Sequence, residues 1–269
     1  MTARVALPSR GRLRDGVLGL LEHAGFPAAP FHGTEFLEMR PRDAGAWLAT
    51  GRIAGAFIST DIVLEEDLGE LAAVPLGLAR SDLIVASRDT DGRQQLADLA
   101  GATVATHLPG ATARWFARAG VEVSVVTMGG SLEGVCAAGL ADAIVDLRET
   151  GTSLARNRLR VLDVMAVCEA LFVHDRSDPL ADLVLRIGAV LKARDQRYVM
   201  LHLAPDRIGD LTAIFPGLAA PTVLPLAGRD DLVAVHLVVS AQAFWIHLAK
   251  LEELGASGIV ALPPSALLP

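Results

Sequence analysis

The run Glu133-Gly-Val-Cys-Ala-Ala-Gly139-Leu-Ala-Asp-Ala-Ile-Val-Asp146-Leu-Arg-Glu149-Thr-Gly-Thr-Ser-Leu154 sets the fold class. Its stretch from Ala143 to Leu147 has no helix-spaced polar face and is bounded by Gly139 and Gly151, so it reads as a buried strand. The chain then turns. Thr150, Gly151, Thr152 and Ser153 crowd backbone N–H groups and three hydroxyls into one short segment, and glycine there tolerates positive φ. A short helical pattern starts near Leu154. Strand, donor-rich turn and helix N-terminus in that order form the building unit of an α/β sheet, and such a turn offers an anion partial positive charge. Two readings of the turn stand side by side: a phosphate cradle, or an ordinary strand-to-helix connection.

The same alternation extends outward. Arg4-Val-Ala-Leu7 reads as a strand followed by a helix from about Leu13 to Ala24. Further strands are expected near Ala56-Phe-Ile58, Leu83-Ile-Val85, Thr103-Val-Ala105 and Val123-Ser-Val125, with helices over Pro41–Thr50, Gly110–Ala119 and Ser131–Ala138. Sheets of this kind place ligands at the C-terminal ends of their strands. Ala170-Leu-Phe-Val173 is the last strand before a long amphipathic helix from about Pro179 to Arg194. From Tyr198 the order becomes strand, helix, strand, strand, helix, strand, which is the ferredoxin-like βαββαβ sequence of elements. A separate tail domain of roughly seventy residues fits ordinary domain sizes.

At 269 residues and 52% hydrophobic side chains, the chain can bury one large core or several small ones. A net charge of -7 leaves no basic stripe to displace counterions from a nucleic-acid backbone, so no nucleic-acid partner is expected. Cys136 and Cys168 lack metal-ligand spacing, and no apolar run reaches membrane-spanning length. A cytoplasmic location is the default expectation. The histidines, His23, His32, His107, His174, His202, His236 and His247, show no pair of the His-Glu-x-x-His kind, so no protein metal site is expected. Glu65-Glu66-Asp67 reads as a solvated face, and Phe244 with Trp245 as core of the second tail helix.

The opening run resembles the signature of ATP phosphoribosyltransferase, in which a glutamate, a glycine, a strand ending in aspartate and a Thr-Gly-x-Thr-Leu turn follow at fixed spacing. Glu133, Gly139, Asp146, Thr150, Gly151 and Leu154 match it one for one, with Ser153 in the usual threonine place. Ser9-Arg10-Gly11-Arg12-Leu13 is similar to the family's Lys/Ser-Gly-Arg-Leu loop, and Arg40-Pro-Arg42-Asp43 to an Arg-x-x-Asp that starts a helix capped by the aspartate. Gly130-Ser131-Leu132-Glu133 resembles a Gly-Ser/Ala-Val-Glu segment that faces substrate. In the tail, Tyr198-Val-Met-Leu-His202, Phe215-Pro-Gly-Leu218, Pro221-Thr-Val-Leu-Pro-Leu-Ala227 and Leu254-Gly-Ala-Ser-Gly-Ile-Val260 look like the regulatory domain of the long, hexameric form.

The resemblance implies an α/β fold of two periplasmic-binding-protein-like lobes around a cleft plus a ferredoxin-like, ACT-like regulatory domain. It places the first lobe at 1–87 and 167–194, the second at 88–166, and the regulatory domain at 195–269. The implied reaction transfers phosphoribosyl from phosphoribosyl pyrophosphate (PRPP) to N1 of ATP, releasing pyrophosphate, with magnesium as cofactor. The turn at 149–154 would hold the 5-phosphate, through Glu149, Thr150, Gly151, Thr152, Ser153 and Leu154. Arg10, Gly11, Asp61 and Arg80 are further substrate-binding candidates, and Arg12, Glu133 and Asp146 are the catalytic ones. Arginine forks beside a glycine suit pyrophosphate, although two arginines at a solvated helix start are the plainer reading. Glu133 reads equally as a ribose contact or as a favourable charge at a helix start. For the tail, histidine as inhibitor and a homohexamer are implied, with His202, Thr222, Ala256 and Ser257 as regulatory candidates and the Gly255–Ser257 amides meeting a carboxylate.

Departures from the family pattern cluster on the nucleotide side. An Asp-x-Gly-Ile-x-Gly-x-Asp segment is here Ala54-Gly-Ala-Phe-Ile-Ser-Thr-Asp61, keeping only the final aspartate. Gly-Cys-Arg-Leu is here Arg80-Ser-Asp82-Leu83, Tyr-Pro is Leu108-Pro109, and about ten residues of a hairpin are absent around 27–34. These keep two alternatives open: a paralogue serving a specialised purine-nucleoside pathway of the coformycin or pentostatin type, and a noncatalytic small-molecule sensor.

Overall fold

The computed structural model describes residues 2–215 and 221–268. Its contacts divide the chain into two units, residues 1–19 with 30–184, and residues 20–29 with 185–269. The first unit runs β1 (Ala3–Pro8), α1 (Arg12–His23), β2 (Thr34–Met39), α2 (Pro41–Ala49), β3 (Gly55–Ser59), α3 (Thr60–Glu65), β4 (Ala72–Pro75), β5 (Ser81–Arg88), β6 (Thr103–Thr106), α4 (Pro109–Ala119), β7 (Ser124–Thr127), α5 (Leu132–Ala137), β8 (Ala143–Arg148), α6 (Thr152–Arg156), β9 (Leu159–Cys168), β10 (Ala170–His174) and the start of α7 (Ala181–Ala193). It carries the two-lobed α/β architecture.

Both lobes share one design. The first sheet has the order β2-β1-β3-β10-β4, the second β7-β6-β8-β5-β9. In each, three parallel strands are followed by an antiparallel strand and an outer edge strand. The chain crosses once between β4 and β5 and returns between β9 and β10. The lobe boundaries expected at 87/88 and 166/167 are therefore misplaced. Leu83–Val85 lies in β5, whose whole length pairs with β8 and β9, and the return falls at Glu169. The sequence shows only an apolar run there, and it is strand pairing that assigns the run to the second sheet.

Buried side chains of both sheets belong to one hydrophobic cluster, among them Ala56 and Ile58 with Leu83, Val85 and Val145. Phe57 and Phe172 stack at 4.7 Å on adjacent strands of the first sheet. Burying each such ring stabilises the fold by about 1.5–3 kcal/mol. Helix α2 begins at Pro41, but its N-terminus has no side-chain cap bond. Asp43 stands in the first turn and favours the helix dipole without capping it, so the expected cap is absent.

The second unit contains β11 (Gln196–Leu203), α8 (Ile208–Ile214), β12 (Thr222–Leu226), β13 (Arg229–Ser240), α9 (Ala241–Glu253) and β14 (Ser257–Leu262). Its antiparallel sheet, ordered β12-β13-β11-β14, is the ferredoxin-like arrangement expected. Alternate residues Val199, Leu201 and Leu203 of β11, and Val235, Leu237 and Val239 of β13, are buried with Leu211, Phe244 and Leu251 of the helices. Trp245, expected in the core, is 65% exposed. Successive helical residues point about 100° apart, so Phe244 and Trp245 cannot share one narrow apolar face. Pro216–Leu218 of the tail motif lie outside the described residues.

Candidate active site

Apart from Arg80, the candidate loops of the first unit leave the C-terminal ends of the parallel strands. After β1 come Arg10, Gly11 at φ +85, and Arg12 at the start of α1. After β8 come Glu149, Thr150 and Gly151, which precedes α6 at φ +75. That positive φ turns the chain sharply and is the conformation for which glycine has no Cβ penalty. The Thr150 and Thr152 hydroxyls lie 3.2 Å apart, while Leu154 is buried and anchors the turn to the core beneath.

The two loops meet. The Arg12 guanidinium is bonded to both carboxylate oxygens of Glu149, joining the first sheet's β1 loop to the second sheet's turn. This bond raises the guanidinium's proton affinity and draws the Glu149 carboxyl below its usual range. Arg10, also exposed, has no partner among the described residues. Two further contacts cross between the sheets. Arg42 of α2 donates to the backbone oxygen of His107, after β6. The Glu65 carboxylate at the end of α3 accepts from the Gly110 and Ala111 amides at 3.0 and 2.8 Å, capping α4, and Arg114 donates back to the Glu65 backbone oxygen at 2.8 Å. Glu65 is thus a bridge between lobes rather than the solvated face expected. Its partners lie 45 and 46 residues away, beyond any local pattern.

Asp146 sits near the end of β8, beside His107 at the end of β6, with Nδ1 and Oδ1 3.5 Å apart. Burial lifts the Asp146 carboxyl above its usual range, opposed by the Leu147 amide and by His107. Burial likewise lowers His107, opposed chiefly by Asp146. Sequence reasoning missed His107, since its partner is 39 residues distant and only the β6–β8 pairing brings them together. Thr106, fully buried, donates to the Val145 oxygen at 3.0 Å and accepts from the Leu108 amide at 2.9 Å. One hydroxyl thereby pins the backbone on both sides of the pair.

The other candidates are less tightly grouped. Glu133 stands in the first turn of α5 and contributes to the field at Asp146. Asp61 is 3% exposed, accepts from the Ser59 hydroxyl and contributes to the fields at His107 and Asp146. Arg80 lies exposed in the crossover after β4, with no partner among the described residues, and no contact joins it to the turn. Asp82, one of the departures from the expected pattern, is directly opposite Arg148 on β8 and paired with it at 2.5 Å. The acid is neutralised in place. Cys168 is buried and its thiol pushed up to about 12, so it is no thiolate nucleophile.

In the second unit, His202 faces Ser257 across β11 and β14, and Thr222 begins β12 opposite His236 on β13. The expected carboxylate-binding amides are largely engaged. Gly255 donates to Glu252 and Ala256 to Leu251, closing the end of α9. Among the described residues, no group of three His, Cys, Asp or Glu side chains could hold a metal ion, and no helix is long and apolar enough to cross a membrane.

Residues 40–192 match the family model described as HisG, ATP phosphoribosyltransferase, and residues 193–265 match the HisG C-terminal domain. The chain is 32% identical to the ATP phosphoribosyltransferase of Maricaulis maris over 98% of each chain, and 33% identical to that of Gemmatimonas aurantiaca over 99% of each. Among solved structures, the ATP phosphoribosyl transferase (HisG:HisZ) complex from Thermotoga maritima is 25% identical at a TM-score of 0.57, covering 69% of this chain and 96% of that one. XAC2383 from Xanthomonas citri bound to ATP, at a TM-score of 0.51, 16% identity and coverage of 78% and 86%, is a likeness of fold.

Proposed function

The chain belongs to the ATP phosphoribosyltransferase family, and from that premise we propose that the loops after β1 and β8 hold PRPP for attack by the nucleotide. The reaction transfers the phosphoribosyl group to N1 of ATP with release of pyrophosphate, the first step of histidine biosynthesis. The observation that carries the site assignment is the Arg12–Glu149 bridge, which brings together two loops 137 residues apart. One loop offers cations and the other offers amides and hydroxyls.

The division of labour follows from charge. The 5-phosphate is a dianion suited to the closely spaced amides of 150–154 and the hydroxyls of Thr150, Thr152 and Ser153. Negative charge grows on the departing pyrophosphate, and Arg12 with Arg10 meets it with planar donor forks. Glu149 orients Arg12 before substrate arrives. Asp146 and Glu133 are read as ribose contacts, and Asp61 as a substrate contact at the nucleotide side. Magnesium fits as an ion carried on the pyrophosphate, because it is usually held by phosphates, water and only one or two carboxylates. No three-residue metal group is needed for that role.

For the rest of the molecule, a homohexamer, inhibition by histidine through the second unit and a cytoplasmic setting are proposed from the family resemblance. The lobes are read as following the sheets, 1–80 with 170–194 and 81–169, and the regulatory part as 195–269. Calorimetric titration of magnesium–PRPP tests the cradle. Thr150→Ala and Ser153→Ala should each weaken binding by about 1.5–3 kcal/mol, the worth of a charge-assisted hydrogen bond. Unchanged affinity in both variants removes the assignment.

A further inference from the structure

We propose that His107 is a positioning residue for phosphoribosyl transfer, holding the Asp146 carboxylate in the cleft while Arg42 holds His107 from the opposite lobe. This rests on the reading that PRPP binds at the β8 turn. Strands β6 and β8 are parallel neighbours in register, Ala105 against Ile144 and Thr106 against Val145. The next residue of each strand is therefore His107 and Asp146, and they emerge side by side. The Thr106 hydroxyl fixes the residues flanking both, through the Val145 oxygen and the Leu108 amide. Two side chains on so rigid a base keep one geometry, as a reacting centre needs.

The link to the other lobe is the contact from Arg42 to the His107 backbone oxygen. A change in the spacing of the lobes is thus felt at the His107 backbone that carries the imidazole beside the Asp146 carboxylate. The charged groups facing the pair come from several elements: Arg42 on α2, Asp61 and Glu65 on α3, and Glu133 on α5. Within that field, His107 makes Asp146 easier to ionise. Removing the imidazole must therefore raise the pH at which Asp146 gains its proton.

The test is the pH profile of kcat/KM for PRPP in His107→Ala and His107→Asn, with pyrophosphate release as readout. Loss of alignment should lower kcat/KM in the alanine variant on the order of ten- to a hundredfold. The asparagine variant should recover most of that loss at pH 8, and the acid limb should lie at higher pH in both. Wild-type profiles in both variants overturn the proposal, as does an equal loss in both with the acid limb unmoved, which marks a structural role. Should the alanine variant not fold, the asparagine variant decides alone, a displaced acid limb supporting and an unmoved one refuting. A wild-type protein that binds no PRPP would instead sink the reading on which this rests.

Discussion

At the scale of single residues, the cleft pairs acids and bases at the end of β8: Asp146 with His107, Arg148 with Asp82, and Glu149 with Arg12. They are not equivalent. The Arg12–Glu149 pair is exposed, where an ion pair contributes little to stability. Arg12→Ala should therefore leave the thermal midpoint almost unchanged while sharply lowering turnover, because its proposed work is on the leaving pyrophosphate. Parallel thermal melts and initial rates check this, and a wild-type rate would reduce Arg12 to surface charge. The turn of this candidate site was legible in sequence, since Thr150, Gly151 and Leu154 carry a local pattern of turn, positive φ and anchor. His107 and Glu65 were not, because their partners lie 39 to 46 residues away, brought close by the β6–β8 pairing for one and by the approach of α3 to α4 across the lobes for the other.

At the scale of elements, the strands foreseen from sequence were mostly interior ones, and those overlooked were all edges. Thr34–Met39 and Ala72–Pro75 are the two margins of the first sheet, and Leu159–Cys168 is a margin of the second. An edge strand pairs on one side only and carries charge or proline to discourage further pairing, which dilutes the apolar run that sequence reading depends on. Thr-Glu-Phe-Leu-Glu-Met shows this, with two glutamates in six residues. Helix packing gives a sharper test. Gly45, on the buried face of α2, has no room for a Cβ, which would overlap Ile62 Cγ2 of α3 and crowd Glu66 Cγ at 3.2 Å. Gly45→Ala gains up to about 1 kcal/mol of helix propensity. Overpacking against a stiff β-branched side chain costs about 1–3 kcal/mol, so the balance is destabilising. A urea midpoint at or above wild type would contradict that packing.

At the scale of the whole molecule, two lobes of common design are followed by a ferredoxin-like tail, for which a regulatory role is proposed. The tail's open sheet face exposes Leu224, Val260 and Leu262, which suits burial against other copies in an assembly. Two of its three expected loop amides are already bonded to α9. Light-scattering mass should give a hexamer, and rate measurements in millimolar histidine should show inhibition. A hexamer indifferent to histidine would leave the tail as an assembly scaffold. The central claim is that the joined β1 and β8 loops serve phosphoribosyl transfer to ATP, and pyrophosphate release by the purified wild-type chain tests it most directly. Release is expected only when magnesium, PRPP and ATP are all present, and to fall away when another purine nucleotide replaces ATP. Release independent of the nucleotide, or none with ATP, would contradict it.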